Sequence, residues 1–102
     1  MKTSCSEIKM HDIVTHVSTR AMGEVARRKL LEAVRLHGSV MVDLEGLLLT
    51  PSFADECFGL LCENLGLSEF RNSVKLANVH PASKTLILHV VNRRGQHHGR
   101  AA

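Results

Sequence analysis

The part of this sequence that could carry regulated chemistry is a serine beside acidic residues, in the segment TPSFADE that begins at Thr50. Serine is a preferred N-cap residue, so Ser52 predicts a helix that begins at Phe53. Asp55, three residues later, places negative charge where the helix dipole favours it. A phosphate on Ser52 would add roughly two negative charges here. The segment therefore leaves two roles open for Ser52, a helix cap and a phosphorylation site.

The helix after Ser52 is predicted to have an apolar side and a polar side. The apolar side carries Phe53, Ala54, Cys57, Phe58, Leu60, Leu61 and Leu65. The other side is expected to face solvent and carries Asp55, Glu56, Gly59 and Glu63. Adjacent carboxylates on an exposed side suit a docking surface better than a reaction. We therefore expect a protein partner to contact Ser52, Phe53 and these four residues, with Arg20 nearby.

Histidine and cysteine are frequent enough to raise the question of a metal site, with seven His and three Cys in the chain. Cys57 and Cys62 would point to different sides of one helix, and His11 and His16 to opposite faces of a strand. Neither pair has the spacing of a chelating site. The sequence also lacks the usual patterns of an enzyme at recognisable spacing. These patterns are a nucleophile with a base, paired carboxylates, and a glycine-rich phosphate loop. We expect no metal, no other cofactor and no enzymatic activity.

Composition limits the class of protein. The chain has 102 residues, of which 44% are apolar and 23% charged, as in a single globular domain. With three Phe and neither Trp nor Tyr, it can hardly build an aromatic platform for single-stranded nucleic acid. No segment is apolar enough to span a bilayer, and the first residues are too polar for a signal peptide. We therefore expect a cytoplasmic protein.

Two alternatives to a module that binds a regulatory partner protein stay open. The net charge of +3 permits the first of them, binding to nucleic acid. A small nucleic-acid-binding protein could contact phosphates through Arg27, Arg28, Arg93, Arg94 and Arg100. Such binding would depend steeply on salt, and the absence of any complex in a low-salt shift assay would exclude it. The second alternative is a protein that only self-associates, through edge strands or helices.

Hydrophobic periodicity predicts the elements that would position Ser52. Strands are expected from Glu7 through Ile8 and Met10, at the edge of the sheet, at residues 40–44, covered on both faces, and at residues 73–77. Helices are expected from Ser18-Thr19 to His37, from Phe53 to Leu65, and from His80-Pro81 to about Asn92, with a linker at residues 67–71. Leu36 is placed on the buried side of the first helix.

This element order, β-α-β-α-β-α, indicates an α/β fold with a small open sheet of about three to four strands and helices packed on it. Residues 1–94 are expected to form one domain, and residues 95–102 a flexible basic tail. Binding sites in such sheets gather beyond the carboxyl ends of the strands, where Thr50-Pro51-Ser52 is expected to lie.

The run DLEGLLLTPSFADECFGLL resembles the STAS-like domains of unknown function, and Ser18-Thr19-Arg20 and VKLANVHPASKTLILHVVNRR extend the likeness over most of the chain. These domains are similar in pattern to the STAS domains of anti-sigma-factor antagonists. The resemblance implies a regulatory module whose partner is a GHKL-type ATPase kinase or an anti-sigma-like protein, with Ser52 at the position that can be phosphorylated. Phe53 stands where the antagonists carry a small polar residue.

Overall fold

The computed structural model describes residues 5–96, which fold around a three-stranded parallel sheet. The strands are β1, Ser6–Lys9, β2, Val40–Asp43, and β3, Val74–Ala77, in the spatial order β1-β2-β3. Ile8 pairs with Val42, and Val42 pairs with Leu76. The predicted α/β class, the open sheet and the edge position of β1 are confirmed.

Helices connect and cover the strands. Within residues 5–96 they are α1, Met10–Ile13, α2, Arg20–His37, α3, Pro51–Ala54, α4, Leu60–Leu65, α5, Leu67–Ser73, and α6, Pro81–Gly95. A π-helical segment, Asp55–Gly59, joins α3 to α4 without a break, so residues 51–65 form one helix with a wide turn in its middle. We call Asp55–Gly59 the π segment.

The bounds of α2 follow from the predicted capping residues. The Thr19 hydroxyl accepts a hydrogen bond from the Met22 N–H at 3.2 Å, which satisfies one of the free N–H groups at the helix start. Gly38 ends the helix with φ 87°, a left-handed conformation that favours glycine. Leu36, however, is 69% exposed, so its predicted place on the buried side is wrong.

The two faces of the sheet differ in burial. Val40 and Val42 of the central strand are fully buried, whereas Met41 and Asp43, on the other face, are only half-buried. Next to them the neighbouring strands expose Glu7, Lys9 and Lys75. The prediction that residues 40–44 are covered on both faces is therefore wrong.

Three other predicted elements need correction. The first strand ends at Lys9, and the chain then turns into α1, which places Met10 in the core with 0% exposed. Residues 67–71 lie in α5 rather than in a linker, because Phe70 packs into the core with 6% exposed. The last helix continues to Gly95 rather than ending near Asn92. Its end packs closely on α5, since a Cβ at Gly95 would lie 3.2 Å from the Leu67 Cβ. Residues 97–102 of the predicted tail lie outside the described residues.

One hydrophobic core joins the helices to the sheet. Phe53, Phe58 and Leu61 of the long helix are fully buried together with Leu30 of α2 and Ile87 of α6. Across residues 5–96, none of the helices has both the length and the apolar character that a membrane crossing requires.

Candidate functional site

The loop at residues 44–50 leaves the carboxyl end of β2 and leads into α3; we call it the hinge loop. Thr50 fixes its end, since its N–H donates to the Val17 carbonyl at 3.2 Å and its hydroxyl donates to the Ser18 carbonyl at 3.0 Å. One residue earlier, the Leu49 N–H donates to the hydroxyl of Ser83, which is 1% exposed, at 3.1 Å. Two distant parts of the chain thus hold the loop backbone in place.

Thr50 also caps the helix that follows. Its hydroxyl oxygen accepts from the Phe53 N–H at 3.2 Å, and Pro51 occupies the first helical position. The prediction that Ser52 caps a helix beginning at Phe53 is therefore wrong. Ser52 is the second residue of α3, and it is exposed. Its hydroxyl has no hydrogen-bond partner within residues 5–96, so it does not cap the helix.

Asp55 is buried, with 3% exposed, and accepts hydrogen bonds from two arginines of other helices, while Arg93 Nη2 lies 3.5 Å from its Oδ1. Arg94 of α6 donates from Nε to Oδ1 at 3.0 Å and from Nη2 to Oδ2 at 2.7 Å, a two-bond contact that matches the carboxylate. Arg20 of α2 donates from Nη1 to Oδ2 at 3.1 Å. The hydrogen bonds from Arg94, together with the one from Arg20, outweigh the effect of burial and lower the pKa of Asp55 to about 2.

Glu56 continues this contact toward α2. Arg20 Nη1 donates to its Oε1 at 3.3 Å, and Arg27 Nη2 lies 3.5 Å from its Oε2. Arg27 Nε also donates to the Glu56 main-chain carbonyl at 3.1 Å, inside the π segment. Helices with such a wide turn leave backbone groups that need other partners. We call the whole set the arginine–carboxylate cluster: Arg20, Arg27, Arg93, Arg94, Asp55, Glu56 and Glu63.

Two glycines allow the helices to approach the π segment closely. A Cβ at Gly59 would lie 2.7 Å from Asp55 Oδ1, inside the space that the carboxylate occupies. A Cβ at Gly23 of α2 would lie 2.8 Å from the Glu56 Cβ. Glycine inside a helix lowers its stability. At these two positions a larger residue would clash with the π segment, and this explains why glycine is present.

The structure brings some predicted contact residues together and removes others from the surface. Arg20 does meet Asp55 and Glu56. The expected exposure of the acidic side is wrong, because Asp55 and Gly59 are buried and the Glu56 side chain is only 17% exposed. Arginines of α2 and α6 cover this side. Phe53 is 0% exposed, whereas the Glu63 side chain is 36% exposed and accepts from Arg94 Nη1 at 3.2 Å. The partner-binding role of these residues stays a prediction.

Comparison with known families gives the decisive match. Residues 23–84 match the family described as a STAS-like domain of unknown function (DUF4325). The chain belongs to this family. The resemblance of the segment around Ser52 is thereby confirmed, since the matched range contains β2, the hinge loop and the π segment. Searches of curated proteins and of solved structures find no match.

In this STAS-like domain, Arg20 and Arg94, which hold Asp55, lie outside the matched range. Several arginines considered for nucleic-acid binding already pair with carboxylates. Arg27, Arg93 and Arg94 belong to the cluster, and Arg28 lies 2.7 Å from Glu24. Paired arginines are less available to phosphates. Arg100 lies outside the described residues, and nucleic-acid binding stays a prediction.

The cysteines of the STAS-like domain differ in exposure. Cys57 and Cys62 are buried, and burial raises the pKa of both thiols, whereas Cys5 is exposed. A thiol held protonated is a poor nucleophile and a poor metal ligand. Among the residues that the structure describes, no three His, Cys, Asp or Glu side chains lie together as a metal site would need.

Proposed function

We propose that this STAS-like domain is a non-enzymatic regulatory module that binds a partner protein beside the hinge loop. The proposed contact surface, the hinge surface, consists of Leu48, Pro51, Ser52 and Arg20. Of the surface expected from the sequence it keeps Ser52 and Arg20, and it adds Leu48 and Pro51. Phe53, Asp55 and Gly59 are left out because they are buried. Glu56 and Glu63 are left out because arginines pair with them.

The observation that supports this proposal is that side chains at the hinge loop are exposed to solvent while hydrogen bonds hold the loop backbone in place. Leu48 is 61% exposed and Pro51 and Ser52 are exposed, yet Leu49 and Thr50 are hydrogen-bonded to Ser83, Val17 and Ser18. A partner that binds such a loop does not need to order it first, so less binding energy is lost. An exposed leucine beside exposed polar groups gives an apolar anchor with a polar rim.

Ser52 is the proposed point of regulation. Asp55 and Glu56 follow it by three and four residues, so they are its neighbours along the helix, and Arg20 contacts both. A phosphate on Ser52 would add negative charge beside these carboxylates and would compete for Arg20, whose side chain is 54% exposed. Phosphorylation would thus change the charge of the hinge surface. By resemblance, the partner we propose is an ATPase-type kinase or an anti-sigma-like protein.

Leu48→Glu is expected to weaken partner binding at least about tenfold, because a charge would enter the apolar part of the contact. The partner is first identified by co-purification from the native cells and then reconstituted from purified proteins for a binding isotherm. Leu88→Glu is the matched control, since Leu88 is a 52% exposed leucine on the outer side of α6. It should change the Kd by less than about twofold. Equal effects of the two variants would contradict the proposed surface.

A further inference from the structure

The outer edge of β1 is a candidate surface that the proposed function does not use. β1 pairs with β2 on one side, and the sheet order places no described strand on its other side. The Ser6 N–H donates to the Ser39 carbonyl at 3.1 Å, so the backbone groups of Ser6 point toward β2. Because these groups alternate along a strand, the N–H and C=O groups of Glu7 and the N–H of Lys9 point outward, whereas the Lys9 C=O belongs to the first turn of α1. A further strand could pair with them.

The sequence of β1, SEIK, is complementary to itself in one antiparallel register. If Ile8 lies opposite Ile8 of a second copy, Glu7 lies opposite the second copy's Lys9, and Lys9 opposite its Glu7. This register also pairs the residues whose backbone groups point outward, and it leaves Ile8 on the two-fold axis where side chains approach most closely. Centring the pair on Glu7 or on Lys9 would place like charges opposite each other, which is unfavourable. The charges thus favour one register.

A groove with both polar and apolar lining residues runs beside this edge, on the face of the sheet that carries α2. It has a volume of about 290 Å3 and is lined by Ile8, Lys29, Glu32, Ala33, Leu36 and His37. Leu36 is 69% exposed. Side chains of a second β1 placed at this edge would cover part of the groove, and Lys29 and Glu32 on its rim carry opposite charges.

The other edge of the sheet lacks this complementarity. β3 reads VKLA, so its only charged residue is Lys75, which antiparallel self-pairing cannot place opposite an acid. Exposed edge strands are usually protected from unwanted pairing by such unmatched charges. β1 instead carries one acid and one base at the spacing that its own two-fold pairing requires.

We propose that a second copy of this chain binds at β1, forming a symmetric dimer with one continuous six-stranded sheet, in which Glu7 and Lys9 select the register. Two-fold pairing of the same surface is the usual geometry of a homodimer. The contact is short, so the dimer dissociates on dilution.

Charge-reversal variants test the register directly. Sedimentation velocity, from low micromolar to near-millimolar protein, measures the Kd of the dimer. Glu7→Lys puts lysine opposite Lys9 in both symmetric pairs, and Lys9→Glu puts glutamate opposite Glu7. Each single variant should therefore raise the dimer Kd about tenfold or more. An equimolar mixture of the two variants restores opposite charges at both pairs, so it should dimerise at nearly the wild-type concentration.

Glu45→Lys is the control for Glu7→Lys, because it makes the same change of net charge at an exposed loop residue. It should leave the dimer Kd within about twofold, and thermal melts should show that all variants fold. A wild-type chain that stays monomeric over the whole range would overturn the proposal. So would a dimer that the single reversals do not weaken, or single variants whose mixture fails to dimerise.

Discussion

Arg94→Ala is expected to lower the free energy of unfolding by about 3 kcal/mol, because it leaves the buried carboxylate of Asp55 without its main partner. Arg94 makes two of the hydrogen bonds to Asp55, at 3.0 and 2.7 Å, and the Asp55 side chain is only 4% exposed. Urea denaturation at neutral pH measures the loss.

Arg28→Ala is the matched control for this prediction. Arg28 and Glu24 form an equally short ion pair, at 2.7 Å, but their side chains are 74% and 43% exposed. An exposed pair of this kind contributes less than about 1 kcal/mol. If the two alanine variants lose the same stability, the ion pairs of Asp55 do not stabilise the fold as described.

The same ion pair should also make the free energy of unfolding depend on pH. The pKa of Asp55 is about 2 in the folded protein, below its ordinary value of 3.8. A depressed pKa means that the stabilisation is fully present above 3.8 and is lost as the pH falls toward 2. The loss in this window amounts to about 2 kcal/mol in the wild type. It should be smaller in Arg94→Ala, since the hydrogen bonds of Arg94 are the largest cause of the shift.

Thr50→Ala is expected to cost about 1–2 kcal/mol, whereas Ser52→Ala should change the free energy of unfolding by less than about 0.5 kcal/mol. The Thr50 hydroxyl caps the helix through the Phe53 N–H and also donates to the Ser18 carbonyl. Ser52 is exposed at the second helical position. The same urea titration compares both variants with the wild type, and a larger loss for Ser52→Ala would restore Ser52 as the cap.

The sequence contained a signal for Thr50 that favours this result. Proline is preferred at the first helical position, so Pro51 at that position makes Thr50 the cap. Ser52 is also of a residue type preferred at the N-cap, so two adjacent residues compete for that position. In α2 the predicted capping residues do mark the ends of the helix, since Thr19 lies directly before the first helical residue and Gly38 directly after the last. Local signals therefore predicted most elements, with errors of a few residues at their ends.

The burial of the acidic side could not be predicted from local pattern. Asp55 and Arg94 are 39 residues apart, and only the packing of α6 brings them together. A helical wheel also assumes a regular turn, whereas the π segment widens it between Asp55 and Gly59. Gly59 was a usable signal, because a glycine inside a helix often marks a close contact. The partner of that contact was not visible in the sequence.

The hinge surface as a regulated binding site is tested most directly by one binding isotherm with the reconstituted partner. Ser52→Asp adds charge at the second position of α3, and Ser68→Asp adds it at the same position of α5, where Ser68 is also exposed. The helix dipole favours an acid in the first turn, and the neighbouring Asp55 and Glu56 oppose the charge at position 52 only weakly, so both variants should melt close to the wild-type temperature. If the hinge surface binds the partner, Ser52→Asp should raise the Kd at least about tenfold and Ser68→Asp by less than about twofold. Wild-type affinity in Ser52→Asp would contradict it.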